Sequence, residues 1–492
     1  MKSYMGSVKS KLRRTPRAAR KPLKITKVAR AGVPEWHPVQ LNRAELHRIA
    51  TRVLELSPAR ETEVEVTSSA DALTRFANNT IHQNVAEEGL HISIRVAVDG
   101  RTARATTNRT DDEALGLALA TAMQLAKFQL KNPNLPPMPG PVKPLPLKGR
   151  PRRPSLSRYF PKTAEMSPED RARVVRGVVG LAAGLGQVAA GIFSNGFSET
   201  ILVNSRGLAM EHAESKCEFS VTMMEENSSG WAKASSPDAG MLDPLALAER
   251  ASDKARASRN QREVAPGHYT VILEPAAVLD LAGFLFYDFA GTAVADQRSC
   301  LTGRMGKPLF GENITLWDDV YHSLQTGAPF DGEGMARQRV LLVENGLPRN
   351  LVYARATALK MKARPTGHGF ALPNEYGEAP MNLVFAGGDS SVEEMIRTTE
   401  RGILVTRLWY IREVEPYEKI MTGMTRDGTF LVENGAVVCG IRNFRFNQSL
   451  IAMLCNVEAL SPAVRASGEE SFDMVVPAMK VRDFHFTEVT RF

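Results

Sequence analysis

Cysteine, tryptophan and unbroken apolar sequence are all scarce in this chain. Its 492 residues include four cysteines (Cys217, Cys300, Cys439, Cys455) and no CxxC pair, which excludes a disulfide-stapled scaffold and fits a reducing cytoplasm. The four tryptophans, Trp36, Trp231, Trp317 and Trp409, are scattered, so they form no stacking platform for nucleic acid. The longest apolar run, 278–295, has the length of a membrane span but contains Asp280 and Asp288; a buried helix, and no membrane insertion, is the better reading. Acidic residues are absent from positions 1–30, which carry eleven Lys and Arg and no apolar stretch of the secretory type.

With 43% hydrophobic residues the chain can bury a large core in two or three domains. Its net charge of +8 belongs to the tail: without residues 1–30, 51 basic face 54 acidic side chains, a balance of −3. That balance argues against a nucleic-acid-binding fold and leaves only a basic arm. Residues 1–40 are expected to be a disordered arm, with organelle targeting or contact with an acidic partner as alternatives.

Residues 41–130 have the pattern of a small α+β domain. RAELHRIATRVLEL (43–56) has helical spacing, and TEVEVTSS alternates with Val64 and Val66 on one face. Asn78-Asn79 and Asp99-Gly100 mark turns between strands, and Asp111 to Glu113 open a helix with acids against its positive end. Residues 131–168 form a Pro-rich linker or wrapping segment, with eleven prolines from Pro133 to Pro168. It ends at Ser167-Pro168, a cap followed by proline at the first helical position.

The remainder, 169–492, is expected to be a larger, hairpin-rich antiparallel β domain with packed helices near 243–258, 276–295, 391–402 and 449–459. Two Glu-Asn-Gly tips, 344–346 and 433–435, lie between apolar strands. The fold class is α+β throughout.

Several segments, in this order and spacing, resemble the TldD/PmbA family of zinc-dependent peptidases and their partner subunits. They are RFANNTIHQ with VAVDGRTARATTN, APFDGEGMARQRVLLVENG with Asp331, Glu333 and Gly334, GLPRNLVYARATALKMKARPTGHG, and MTGMTRDGTFLVENG. The resemblance covers about residues 42–490. It implies a heterodimer in which one subunit binds zinc, a related subunit lacks the metal site, and the pair degrades flexible peptides.

Laid on the zinc-binding members, the HExxxH histidines fall on Tyr287 and Thr292 and the glutamate on Asp288. The third ligand, a cysteine, falls near Ser467. Phenol and hydroxyl groups are poor zinc ligands at neutral pH. The resemblance therefore implies a metal-free pseudoenzyme subunit with no cofactor of its own, partnered by a zinc-bearing TldD-type chain that acts on extended peptides. The stretch WYIREVEP (409–416) stands where the family has a glycine-rich segment.

Asp288 is read as structural, because a general base needs a metal-bound water to deprotonate. The turn Thr366-Gly367-His368-Gly369 is the candidate peptide-binding element: its glycines permit close approach and its histidine can face a carbonyl. The alternative is a tight turn with an exposed histidine. A separation of five in a strand puts His212 and Cys217 on opposite faces, against a metal pair. Two further readings stand beside the subunit reading. One is a self-sufficient metallopeptidase with a rearranged site drawn from Asp288, His322 or His368; the other is a regulatory protein binding through its basic tail.

Overall fold

The computed structural model describes residues 41–141 and 157–490. The basic tail and the middle of the Pro-rich stretch lie outside the described residues. Helix α1 (Arg43–Leu56) opens on a reciprocal cap: the Asn42 side chain accepts from the Glu45 amide while the Glu45 carboxylate accepts from the Asn42 amide.

The first sheet holds β1 (Glu61–Ala77), β2 (Thr80–Val98), β3 (Arg101–Thr107), β4 (Val188–Asn204), β5 (Ala209–Met224) and β6 (Ser229–Ser236), in the order β3-β2-β1-β4-β5-β6. Its first two tips are the predicted ones. Asn78 and Asn79 have φ of 51° and 57°, and Asp99 and Gly100 have 49° and 74°, the left-handed values a two-residue hairpin demands. Helices α1 and α2 (Asp112–Phe128) bury Leu46, Val53, Leu115 and Leu119 against Val64, Val66, Ile92 and Ile94. The short α3 (Pro161–Ala164) precedes α4 (Pro168–Gly184), which packs with α5 (Pro244–Ala257) around Val175, Phe219 and Ala248.

This sheet crosses the Pro-rich stretch. β1 pairs antiparallel with β2 on one side and with β4 on the other, from Glu63↔Asn204 to Phe76↔Gly191. Strands assigned from sequence to the units 41–130 and 169–492 thus complete one another's hydrogen bonding. The described flank of the Pro-rich stretch is tied down: Asn132 N donates to Gly100 O (2.8 Å) and Asn204 Nδ2 to Pro139 O (2.8 Å).

Two further sheets form the C-terminal part. One contains β8 (Leu316–Asp318), β9 (Val340–Glu344), β10 (Leu347–Pro348), β11 (Leu383–Phe385), β17 (Val464–Ala466) and β18 (Met474–Val476). The other contains β7 (Gly267–Leu273), β12 (Arg401–Glu415), β13 (Ile420–Glu433), β14 (Ala436–Gly440), β15 (Phe444–Ser449), β16 (Val457–Leu460) and β19 (Met479–Val489). In this second sheet β12 pairs with β7 and also with β13, so β12-β7-β19-β15-β13 closes on itself. Closure removes exposed edges and encloses Phe444, Phe446, Phe484 and Phe486. Both Asn-Gly tips are where the sequence puts them, with Asn345 and Asn434 at φ 48° and 51°.

The expected helix over 276–295 is not continuous. It divides into α6 (Pro275–Ala282), a 3₁₀ segment (Gly283–Phe289) and α7 (Gly291–Ala295). Ala290 is extended because its neighbours bond elsewhere: Gly291 N donates to Val352 O and Val352 N to Phe289 O, both at 2.9 Å. Those bonds replace the helical ladder, and they place Thr292 on a different element from Tyr287 and Asp288.

No helix among the described residues is long and apolar enough to cross a membrane.

Candidate functional site

A cavity of about 720 Å³ opens between the 3₁₀ segment, the β12–β13 turn and the loop 469–472. Phe284, Phe286 and Phe472 form an aromatic wall, with Phe286 and Phe472 edge to face at 5.5 Å. Tyr287, Asp288, Arg298, Glu413 and Lys419 also line it.

Asp288 and Lys419 are buried at its floor. Asp288 Oδ1 accepts from Cys300 N (2.8 Å), while Lys419 Nζ lies 2.7 Å from Asp288 Oδ2 and donates to Glu413 Oε2 at 2.5 Å. The contact to Oδ2 is a buried ion pair. Burial pushes the Asp288 carboxyl up and Lys419 opposes this; burial likewise presses on the Lys419 ammonium, but Asp288 and Glu413 hold its pKa above the ordinary value. Tyr287 Oη donates to Tyr376 O (3.0 Å), and Arg298 Nη2 reaches that hydroxyl at 3.3 Å.

The loop wall is set by Asp280, whose Oδ1 accepts from Glu469 N (3.2 Å) and Glu470 N (3.0 Å). Burial raises the Asp280 carboxyl to about 7. A side chain at Gly468 would begin 2.2 Å from Asp280 Oδ1, and one at Gly283 would begin 1.9 Å from Ser471 Oγ, so loop and α6 meet through glycine.

The four positions implied by the resemblance do not converge. Tyr287 and Asp288 reach the cavity. The amide of Thr292 donates to Glu378 Oε1 (2.7 Å) and its hydroxyl meets Thr357 Oγ1 (2.8 Å). Ser467 is buried against Ser235 (2.9 Å), and it is Ser471 of the following loop that borders the cavity.

The turn 366–369 faces inward. The His368 side chain has no exposed surface; its Nε2 is 2.9 Å from Asp318 Oδ1 and its Nδ1 2.9 Å from Thr366 Oγ1. Gly367, at φ 73°, approaches Ala336 O, and Gly369 N donates to Asp331 Oδ2. The close approaches that its glycines allow are therefore made within the chain, and the turn differs from the tight-turn alternative in burying His368 rather than exposing it. His322 lies on a turn beside Arg158, and neither His322 nor His368 lines the cavity with Asp288. His212 pairs with Glu214 (3.3 Å) while Cys217 is buried in the core.

Lys419, Glu413 and Arg298 were not singled out from sequence. The signal for Glu413 and Lys419 is the charged stretch 409–416, which ends β12 and delivers Glu413 and, across the turn, Lys419 to Asp288.

Three domain profiles of one family match the chain in order: PmbA/TldA metallopeptidase domain 1 over residues 62–126, the central domain over 161–259 and the C-terminal domain over 266–488. The chain belongs to the PmbA/TldD family. An uncharacterised protein of Methanocaldococcus jannaschii is 30% identical over 185 residues, 36% of this chain and 43% of that one. The metalloprotease PmbA of Escherichia coli is 22% identical over 342 residues, 67% of this chain and 72% of PmbA. The chain spans about half the length of the archaeal relatives it matches. In fold it is similar to TldE from Thermococcus kodakarensis, with a TM-score of 0.80, 21% identity, and 90% of this chain and 99% of TldE covered.

The PmbA/TldD resemblance implies zinc, and the donor set here does not fit it. Of the implied ligand positions only Tyr287, a phenol, lines the cavity, beside the carboxylate of Asp288 at the position of the glutamate. That carboxylate is already engaged by a backbone amide and an ammonium, whereas zinc sites are built from imidazole, thiolate and free carboxylate.

Proposed function

We propose that this PmbA/TldD-family chain is the metal-free subunit of a two-chain peptidase, shaping the channel for flexible peptides while a zinc-bearing TldD-type partner cleaves them. The carrying observation is the floor of the cavity, where Lys419 holds Asp288 and no implied histidine or cysteine is present. Among the described residues that floor offers no metal ligand set to acidify a water.

Two surfaces support a role beside a partner. Helix α2 exposes Leu117, Leu125 and Phe128 at helical spacing. Strand β2 pairs with β3 only over Ile92–Val98, so among the described residues 80–91 have no strand on their outer side. Such an edge accepts an added strand, from a partner or a peptide. The cytoplasm is the proposed compartment, in keeping with four unpaired cysteines.

The test is to purify the chain, a zinc-bearing TldD-type homologue and their mixture, and to measure mass in solution and hydrolysis of an unstructured peptide. A heterodimer with chelator-sensitive cleavage in the mixture, and none from this chain, is expected. Chelator-sensitive cleavage by this chain by itself would refute the proposal.

A further inference from the structure

We infer that the cavity beside the 3₁₀ segment is a receptor for one bulky apolar side chain, aromatic by preference, of an extended peptide. This deepens the subunit reading, on which it rests for the peptide, by naming the class of residue that the channel selects.

The charges on the lining disfavour a charged occupant. Each already has an opposite charge close by: Asp288 and Glu413 share Lys419, Arg298 lies 3.4 Å from Asp296, and Glu469 and Glu470 lie 3.7 Å from Lys233 and Arg412. A peptide lysine entering here would compete with a resident cation, and a glutamate with a resident anion, after giving up its own hydration. The Tyr287 hydroxyl is likewise committed, to Tyr376 O.

What the cavity leaves unsatisfied is apolar surface. Phe284, Phe286 and Phe472 pack against the core and yet stay only half-buried. Covering that surface with a further apolar group is favourable in proportion to the area removed from water. Phe286 and Phe472 already meet edge to face across the cavity wall, and an added ring can continue the same packing, which is the ground for the aromatic preference. A space of about 720 Å³ has room for a phenyl or indole group and lies within the range of ligand pockets, roughly 300–1,000 Å³.

The wall is built before a ligand arrives. On one side of Phe472 the amides of Glu469 and Glu470 are held by Asp280. On the other side Arg465 Nη2 holds Asp473 Oδ2 at 2.7 Å. A third tie runs from Tyr410 N to Glu470 Oε1 (2.6 Å), fastening the loop to the β12 irregularity between Trp409 and Arg412. A ring fixed from both flanks loses little conformational freedom on binding, so its contacts appear as affinity.

Fluorescence anisotropy with labelled, unstructured Gly-Ser peptides that differ only in a central Phe, Leu, Ala, Lys or Glu tests this. The full chain is titrated alone and mixed with a zinc-bearing TldD-type homologue, in chelator so that nothing is cleaved. The Phe peptide is expected to bind about tenfold or more tighter than the Ala peptide, the gain from burying one phenyl group. Leu should fall between them, with Lys and Glu no tighter than Ala. Phe286→Ala and Phe472→Ala should each remove most of the Phe preference. A central p-benzoylphenylalanine locates the site on the natural chain without any substitution. Photo-cross-links to the 3₁₀ segment or the loop 469–472 are expected, and cross-links confined to other elements overturn the proposal. A Phe preference that survives both variants overturns it too. Equal binding of the Phe, Ala and Lys peptides in both samples overturns it and leaves the subunit reading intact. Binding of no peptide in either sample overturns both, whereas chelator-sensitive cleavage of the Phe peptide by this chain alone refutes the subunit reading.

Discussion

Lys419 Nζ and Asp288 Oδ2 stand 2.7 Å apart beneath the cavity, and both side chains are buried. The pair joins the strand turn of β12–β13 to the 3₁₀ segment that replaces the expected helix.

Breaking that pair from one side strands a buried charge. Lys419→Met is therefore expected to lower unfolding free energy by about 3–5 kcal/mol. Adding Asp288→Asn to it should recover part of the loss, because the stranded carboxylate is gone. Urea unfolding of the two single variants and the double variant measures the coupling; strict additivity would contradict the pairing.

Asp280 gives the protein a pH signature. Burial raises its carboxyl in the folded state to about 7, above the unfolded value of about 3.9. Between those values the folded state binds more protons than the unfolded state, so stability falls as pH rises from about 4 toward 7. Glu333, also raised by burial to about 7, acts in the same direction. Asp280→Asn should flatten the fall without abolishing it, as read from urea midpoints across that pH range. An unchanged slope would contradict the burial of a titrating Asp280.

His368 should matter to stability and not to peptide binding. Its ring contacts Asp318 and Thr366 and has no exposed surface. His368→Ala leaves a cavity and takes the partner from Asp318 Oδ1, a loss of about 2–4 kcal/mol. In the folded chain His368 should resist diethyl pyrocarbonate, which modifies accessible imidazoles. Rapid modification before unfolding would contradict its burial.

The apolar stripe of α2 should act on assembly alone. Leu117 is 69% and Phe128 79% exposed, so replacing both with glutamate should change the unfolding free energy of the isolated chain by no more than about 1 kcal/mol. It should also weaken association with a zinc-bearing partner. Unaltered association by sedimentation would place the interface elsewhere.

Local signals carried the legible part of the fold. The Asp111 and Ser167 caps and the four Asn- or Asp-containing turns depend on neighbouring residues, and each falls at its predicted position. The division of 275–295 was not legible. Its apolar pattern suits a helix, and the bonds that interrupt it come from Val352, some sixty residues away. The joining of β1 to β4 across the Pro-rich stretch is hidden for the same reason. In the site, the resemblance led to Tyr287 and Asp288 in the cavity wall, but Lys419 and Glu413 reach Asp288 only through tertiary closure. The inward turn of His368 likewise depends on Asp318, a partner fifty positions distant.

Metal content of the purified, tag-free chain, before and after incubation with zinc and removal of the excess, tests the central claim most directly. With Lys419 seated on Asp288, no stoichiometric zinc is expected in either sample. One zinc per chain, retained after desalting and lost in Asp288→Asn, would contradict the metal-free assignment and make this chain an enzyme in its own right.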